Sequence, residues 1–185
     1  MNTSQQFDTN IAICQEIFRK KTKDYGTAWR ILRPSSLTDQ IFIKANRIRS
    51  IEEKGVQKIQ EDIRDEFIAI INYSVMALIQ INHAPDGTEE GLQLPVELAT
   101  SLFDQYIFAA KDLMLNKNHD YGEAWRDMRI SSLTDIILMK LLRLKQIEDN
   151  KGETIMSEGP EGSYNDMINY AMFALIKISE NIENQ

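Results

Sequence analysis

A seven-residue segment, Asp-Tyr-Gly-x-Ala-Trp-Arg, is the part of the sequence best suited to contact a ligand, and it occurs twice. Each copy presents a Tyr, a Trp and an Arg within six residues of the Asp. Aromatic faces stack on nucleobases, and an Arg guanidinium binds phosphate or carboxylate in a forked geometry. The segment therefore predicts a binding site in each copy. Its candidate residues are Asp24, Tyr25, Trp29 and Arg30 in the first copy, and Asp120, Tyr121, Trp125 and Arg126 in the second.

A structural role is the alternative for the same side chains. Trp29 and Trp125 can wedge a connection between helices against the core, because large aromatic residues dominate packing. Arg30 and Arg126 can pair with nearby acids instead of with a ligand. The recurrence of the polar residues argues the other way, since a purely structural duplicate would let exposed Asp, Arg and Ser drift. Both interpretations stay open.

Cationic pairs recur further along each copy. Lys44 and Arg47, like Lys140 and Arg143, lie three residues apart and share one face of a predicted helix. Two cations on one face suit a chain of phosphates. Alternatively, the long side chains lie over the apolar seam with their charged ends in water. The pattern makes these four residues candidate phosphate ligands.

Carboxylates near the next predicted helix could hold a metal ion. Asp62 with Glu66, and Glu61 with Asp65, lie four residues apart. Such rows bind Mg²⁺ through one or two carboxylates together with substrate phosphates. More often, an acidic first turn only complements the helix dipole. Asp62 and Asp65 are the candidate ligands here, with Asn72 two turns beyond Asp65 on the same face.

The second copy carries its acid one helical turn later. Asp166 aligns with Ala69 of the first copy and shares a helix face with Asn169. Glu158, in the preceding loop, is a further candidate ligand, although a solvated loop acid is the more common case. We therefore predict Asp166 and Asp120 as catalytic carboxylates, Asp166 and Glu158 as metal ligands, and the second copy as the competent half.

The elements that position these residues follow from a tandem duplication, Phe18–Ile81 and Met114–Ile178. Residues 24–39 and 120–135 differ at four positions, which leaves 12 of 16 identical. Apolar residues at three-four spacing predict three helices in each copy. Their predicted ranges are 5–23, 38–54 and 57–82, then 96–118, 134–150 and 163–183. Residues 83–95 are rich in turn formers and form the predicted linker.

The predicted fold is an all-α bundle of two pseudo-twofold-related three-helix repeats, residues 1–82 and 96–185, packed as one domain. Ser36 and Ser132 are predicted N-caps of the second helices, with Asp39 and Asp135 three residues on. The long third helices are expected to pack near the centre. No stretch shows the alternation and turn signals of a hairpin.

Composition narrows the functional classes. A formal net charge of −7, without a basic stripe, argues against binding bulk nucleic acid. Cys14, the single cysteine, lies in an apolar stretch and is predicted to be buried. The first ten residues lack the features of a signal peptide, and no apolar run approaches the roughly 20 residues that span a membrane. We predict a cytoplasmic protein without a membrane partner. Association into a homodimer stays open.

The motifs K-x-x-DYG-x-AWR, S-S-L-T-D, K-x-x-R and I-N-Y together resemble the bacterial and phage nucleotide modification associated domain, type 1, a family of unknown function. The resemblance covers both copies. It implies two sites made of matching residues, with a departure at Ala69, where the family has an acid. The implied residues are Asp24, Tyr25, Gly26, Trp29, Arg30, Lys44, Arg47, Asn72 and Tyr73, and then Asp120, Tyr121, Gly122, Trp125, Arg126, Lys140, Arg143, Asp166, Asn169 and Tyr170.

A looser similarity is to the all-α MazG-type nucleotide pyrophosphohydrolases, which hold Mg²⁺ with paired carboxylates. The leading prediction is a Mg²⁺-dependent nucleotide (pyro)phosphohydrolase or related nucleotide-modification enzyme, with a small-molecule nucleotide as ligand. The second is a non-catalytic nucleotide-binding or regulatory module. The third is a structural protein whose duplicated motif fastens helices together.

Overall fold

The computed structural model describes residues 1–55, 62–156 and 159–183 of the 185-residue chain. Seven α-helices and no strand occur within these ranges, which confirms the predicted all-α bundle. The helices are α1 Thr3–Tyr25, α2 Pro34–Lys54, α3 Ile63–Asn82, α4 Glu89–Leu92, α5 Val96–Tyr121, α6 Ile130–Asp149 and α7 Pro160–Glu183. Short 3₁₀ helices occupy Ala28–Ile31 and Ala124–Asp127. In the described part of the chain, no helix is long and apolar enough to cross a membrane.

Four helices form the centre of the bundle. Helix α3 packs on α7, α2 packs on α6, and each second helix also packs on the third helix of its own repeat. Helices α1 and α5 lie against each other and against α3 and α7. Their apolar faces meet in one core, in which Phe18 of α1 stacks on Phe103 of α5 with ring centroids 4.4 Å apart. Each repeat therefore buries its apolar surface against the other repeat.

Paired threonines and glutamates cross the α2–α6 interface twice. The Thr38 hydroxyl donates to the Glu148 carboxylate at 2.6 Å, and the Thr134 hydroxyl donates to Glu52 at 3.0 Å. These pairs exchange under the 96-residue offset of the duplication, as a pseudo-twofold axis requires. Burial raises the pKa of both Glu52 and Glu148, and the threonine hydrogen bonds oppose that rise.

Two ion pairs flank the same axis. Asp39 contacts Lys145 at 2.6 Å, and Asp135 contacts Arg49 at 3.5 Å, again at exchanged positions. The predicted capping role of these aspartates is wrong, since their carboxylates reach across to the other repeat. Asp39 and Asp135 recur in both copies because each fastens its repeat to the other.

The second helices begin earlier than their sequence pattern predicted. Helix α2 starts at Pro34, whose restricted φ suits the first helical position, and α6 starts at Ile130. The residues before them make no side-chain capping hydrogen bond. Ser36 and Ser132 therefore lie inside the first turn and are not the N-caps.

Candidate functional site

Among the described residues, a cavity in the first repeat and a cavity in the second are lined by corresponding residues. The first cavity has a volume of about 480 Å³ and the second about 390 Å³. Each lies where the first helix of a repeat ends, beside the third helix of that repeat. The shared lining consists of Lys21, Tyr25, Gly26, Trp29, Asn72 and Tyr73 in the first cavity, and of Lys117, Tyr121, Gly122, Trp125, Asn169 and Tyr170 in the second.

The Asp-Tyr-Gly turn shapes the mouth of each cavity. Gly26 has φ 70° and ψ −153°, and Gly122 has φ 62° and ψ −160°. This combination is essentially restricted to glycine and differs from the predicted left-handed helical cap. The chain consequently leaves the helix sharply and enters the 3₁₀ helix that carries the Trp and the Arg. A Cβ on Gly26 would also come within 2.6 Å of the Gln93 amide oxygen.

The tryptophan rings pack on the protein, while their residues also line the cavities. Trp125 is buried and stacks on Phe173, with centroids 4.3 Å apart and planes within 8°. The Arg126 guanidinium carbon lies 4.4 Å from the centroid of the same ring. Trp29 is partly buried and tilts against Phe18 at 6.3 Å. A stacked base is therefore not the expected partner of the Trp125 ring.

Two of the residues that line each cavity carry a buried polar atom, one donor and one acceptor, that lacks a partner among the described residues. They are the indole nitrogens of Trp29 and Trp125 and the amide oxygens of Asn72 and Asn169. Only 7 % of Asn72 and 5 % of Asn169 is exposed to solvent. Buried polar groups are satisfied in the great majority of native structures, by protein, water or ligand. Matched orphan groups in both repeats therefore point to a ligand or an ordered water.

Both asparagines are held in one orientation by the neighbouring first helix. The amide nitrogen of Asn72 donates to the Cys14 carbonyl at 3.4 Å, and that of Asn169 donates to the Ala110 carbonyl at 3.0 Å. Because a carbonyl can only accept, the NH₂ group must lie on this side. The oxygen is therefore the group left for a ligand, in the same relative position in both repeats.

Tyrosines form the exposed rim. Tyr25 is 59 % exposed and Tyr121 is 78 % exposed, whereas Tyr73 and Tyr170 are partly buried. Burial raises the pKa of the Tyr25 phenol, and Tyr73 and Asp24 add to the rise. Burial also raises the pKa of Tyr170, with a further contribution from Asp166. With a raised pKa, the Tyr25 and Tyr170 hydroxyls remain protonated donors near neutral pH. The exposed rings of Tyr25 and Tyr121 can receive a flat ligand.

Arg30 does not line the first cavity, contrary to its predicted contact with phosphate. Its guanidinium donates to the carbonyls of Gly91 at 3.0 Å and His83 at 2.7 Å, and to the Gln80 amide oxygen at 3.0 Å. Gln80 in turn donates to the Arg30 carbonyl at 2.8 Å. Burial lowers the pKa of Arg30, and Asp86 opposes that change. Arg30 fastens the turn to the linker and to the end of α3.

Arg126 performs the same fastening with other partners. Its guanidinium donates to Glu180 at 2.7 Å, to the Thr3 hydroxyl at 2.8 Å and to the Gln6 amide oxygen at 2.7 Å. Lys177 donates to the Arg126 carbonyl, as Gln80 does in the first repeat. The pairing of these arginines with protein groups was the structural alternative, and it is the arrangement observed.

Both predicted phosphate-binding cations of α2 contact an acid, and one of them also lines the first cavity. Lys44 lines the first cavity and contacts Glu66 at 3.2 Å. Arg47 also contacts Glu66 and is not among the residues that line the cavity. Only 1 % of Glu66 is exposed, so a buried carboxylate partly neutralises both cations.

In the second repeat an aspartate joins two lysines. Asp166 accepts hydrogen bonds from Lys117 at 2.8 Å and from Lys140 at 2.6 Å. Burial alone would raise the pKa of Asp166, but hydrogen bonds and charge from the two lysines together lower it. Arg143 is exposed on α6 and is not among the described residues lining the second cavity. Asp166 is therefore ionised, and its carboxylate is bonded to both neighbouring lysines.

The aspartates of the two Asp-Tyr-Gly turns lie outside the cavities. Asp24 and Asp120 are exposed, and neither lines a cavity. The Asp120 carboxylate lies 3.2 Å from the His119 ring, and both side chains are open to solvent. The predicted catalytic role of Asp120 stays a prediction that this position does not support, because a general acid or base must reach the bound ligand.

The predicted magnesium ligands do not converge. Asp62 caps α3 by accepting from the Arg64 amide at 3.0 Å, and Asp65 lines the first cavity. Asp166 belongs to the second cavity, and Glu158 lies outside the described residues. Among the described residues, no group of three or more His, Cys, Asp or Glu is arranged to hold a metal ion. Binding of Mg²⁺ through one or two carboxylates together with substrate phosphates stays a prediction.

The lysines at the ends of the first helices were not predicted as site residues. Lys21 lines the first cavity, and Lys117 lines the second. The two stand 96 residues apart, the same offset as the recognised motif. Their recurrence was therefore a signal in the sequence, hidden by the many other charged residues of these amphipathic helices.

Comparisons with known proteins agree with the repeat. A family model described as nucleotide modification associated domain 1 matches the chain twice, over residues 21–81 and 117–178. Each match falls within one copy, so the predicted family resemblance and tandem arrangement are confirmed. No curated protein and no solved structure matches the chain. The looser similarity to MazG-type pyrophosphohydrolases is not shown.

Proposed function

Because the chain belongs to the nucleotide modification associated domain 1 family, we propose that it is a nucleotide-binding protein with one ligand pocket in each repeat. The carrying observation is the matched pair of orphan groups: a buried indole N–H and a buried asparagine oxygen in residues that line each cavity. Of the predicted functions, this is the non-catalytic binding or regulatory module.

The energetics of burial support a ligand that carries both hydrogen-bonding partners. An unsatisfied buried donor or acceptor costs about 1–3 kcal/mol. The edge of a nucleobase presents acceptors and donors side by side, so one base can satisfy the indole and the amide together. The cavities are also large enough, since small-molecule sites occupy roughly 300–1,000 Å³.

The other lining residues suit the remaining parts of a nucleotide. The exposed tyrosine at each mouth, Tyr25 or Tyr121, offers a ring face on which a base can stack. A lysine from the first helix, Lys21 or Lys117, lies on the same wall and can attract an anionic group. The arginines contribute indirectly, by holding the turn that carries the Trp.

Hydrolysis assisted by Mg²⁺ has less support than binding. Metal-assisted hydrolysis needs carboxylates that hold the ion and leave a position for water. Asp166 is engaged by two lysines, and Asp65 belongs to the other cavity. We therefore derive no chemical step through a metal ion.

Differential scanning fluorimetry with a panel of nucleosides and nucleotides, with and without MgCl₂, tests the proposal. We expect the melting temperature to rise with one base class, and the rise to be lost in the double variant Asn72→Ala, Asn169→Ala. Asn10→Ala is the matched control, because Asn10 is also 5 % exposed and donates to a backbone carbonyl, that of Gln6, outside both cavities.

Two results would count against the proposal. If no nucleoside or nucleotide raises the melting temperature or gives heat in calorimetry, the chain is a structural protein. If Mg²⁺-dependent release of phosphate or pyrophosphate occurs and disappears in Asp166→Asn, the hydrolase is the correct function.

A further inference from the structure

The two pockets differ at one lining position that controls charge. Asp166 lines the second pocket, and its counterpart in the first is Ala69. The flanking lysines are matched, since Lys21 corresponds to Lys117 and Lys44 to Lys140. Lys21 and Lys44 line the first pocket together with Ala69, whereas Lys117 and Asp166 line the second, with Lys140 bonded to Asp166.

In the second pocket the carboxylate already occupies the place that an anion would take. Asp166 lies 2.8 Å from the Lys117 ammonium and 2.6 Å from the Lys140 ammonium. The side chains of Asp166 and Lys140 are each 18 % exposed, so water screens this pair weakly, whereas Lys117 is 50 % exposed. A phosphate placed here would meet a fixed negative charge and two lysines whose hydrogen bonds are already made.

Among the described residues, no carboxylate contacts both Lys21 and Lys44 of the first pocket. Lys44 contacts Glu66, which is buried behind the lining, and Lys21 makes no ion pair with a described residue. Asp65 also lines this pocket, but it is exposed and pairs with no described lysine. Solvent weakens the repulsion from an exposed carboxylate. The first pocket therefore retains a cation that can accept phosphate.

Resting on the proposed function, we propose that the first pocket takes a phosphorylated nucleotide and the second takes an uncharged nucleobase or nucleoside. The side chain at position 69 or 166 makes this choice. Asp166 acts as an internal anion that excludes a ligand phosphate from the second pocket. The chain can then bind two forms of a nucleotide that differ in phosphorylation.

The chain contains two tryptophans, one in each pocket, so fluorescence can report the pockets separately. Trp125→Phe leaves Trp29 as the reporter of the first pocket, and Trp29→Phe leaves Trp125 as the reporter of the second. Each variant is titrated with adenosine, guanosine, cytidine and thymidine, and with the corresponding 5′-monophosphates. Circular dichroism and the melting temperature establish that each variant is folded.

We expect Trp29 to report tighter binding of a monophosphate than of its nucleoside, by about tenfold, the effect of one hydrogen bond to a charged group. Trp125 should report the reverse order or no binding of the monophosphate. Asp166→Ala, in the background with Trp125 alone, should confer phosphate preference on the second pocket. Ala69→Asp, in the background with Trp29 alone, should remove the phosphate preference of the first pocket. Asp166→Asn is the conservative variant if Asp166→Ala does not fold.

The outcomes separate this inference from the proposed function. If neither tryptophan responds to any nucleoside or monophosphate, the proposed function fails, and the inference fails with it. If both tryptophans respond with the same preference, or Asp166→Asn leaves the preference of the second pocket unchanged, the pockets bind nucleotides but Asp166 does not select between them.

Discussion

The Trp-Arg turns of the two repeats share the Ala-Trp-Arg sequence and the 3₁₀ conformation but have different neighbours. In the first repeat the linker holds the turn, through Gly91 bonded to Arg30 and Leu92 bonded to Thr27. In the second repeat the beginning of α1 takes this place, through Thr3 and Gln6 bonded to Arg126. A guanidinium has five N–H donors in a fixed fork, so it can fasten a turn to unrelated segments. Recurrence of an arginine therefore need not mean a ligand.

Removing the two arginines separately tests this comparison and should have the largest effect. Arg30→Met leaves the buried Gln80 amide oxygen and the part-buried carbonyls of Gly91 and His83 without their donor, and we expect a loss of about 3 kcal/mol in the free energy of unfolding. Arg126 is more exposed, and Arg126→Met should cost about 1–2 kcal/mol. Urea denaturation measures both. An equal loss in the two variants would contradict the difference in burial.

Substitution of the glycines of the two turns should show a smaller difference in stability between the repeats. Gly26→Ala and Gly122→Ala both place a side chain where φ is positive, at a cost of about 1–3 kcal/mol. Gly26→Ala must also displace the Gln93 amide, whereas a Cβ at Gly122 meets nothing within 4 Å. We therefore expect the lower melting temperature for Gly26→Ala. Adding Gln93→Ala to Gly26→Ala should reduce the difference in melting temperature between the Gly26 and Gly122 variants.

A hydroxyl distinguishes the two third helices where they face the α2–α6 interface. Tyr164 shares a hydrogen bond with the Thr38 hydroxyl at 2.7 Å, and the first repeat has Phe67 at the matching position. Tyr164→Phe should therefore fold normally and lose about 1 kcal/mol of stability. Chemical denaturation at pH 7 measures this loss. A stability equal to that of the parent chain would show that the hydroxyl contributes nothing net.

The loss of folding stability at acid pH should depend in part on Asp166, which has no counterpart in the first repeat. Its pKa is lowered in the folded state, so its stabilising contribution is present above the unfolded pKa of about 3.9 and is lost as pH falls through the folded pKa. We expect Asp166→Asn to be less stable at pH 6 by about 1 kcal/mol and to lose less stability between pH 5 and pH 3. Urea titrations at these pH values measure both slopes. Parallel slopes would show that the lysines do not perturb this carboxyl.

Much of the architecture was predictable from local patterns. The apolar spacing and the terminal glycines indicated the helices, with boundaries within a few residues for α1 and α5. The duplication and the family motif were visible because side-chain identities recur at a constant offset. For the site, Tyr25, Trp29, Lys44 and Asn72, with Tyr121, Trp125, Asn169 and Tyr170, were predicted to lie together, and the structure brings each set to one cavity.

The errors concern polar residues with several available partners. Arg30 and Asp39 were assigned to a ligand and a cap, and the structure places them at the linker and across the α2–α6 interface. A charged side chain carries no local signal of its partner, because its long stem reaches elements distant in sequence.

The sequence by itself determined that this protein is a tandem repeat of helices from one family, since helical periodicity and motif identity are properties of short segments. Only the tertiary structure decided which charges reach a pocket. The choice between Asp166 as a metal ligand and Asp166 as the partner of two lysines depends on α5, α6 and α7 meeting at one point. That meeting follows from burial of apolar faces far from Asp166, and no local pattern encodes it.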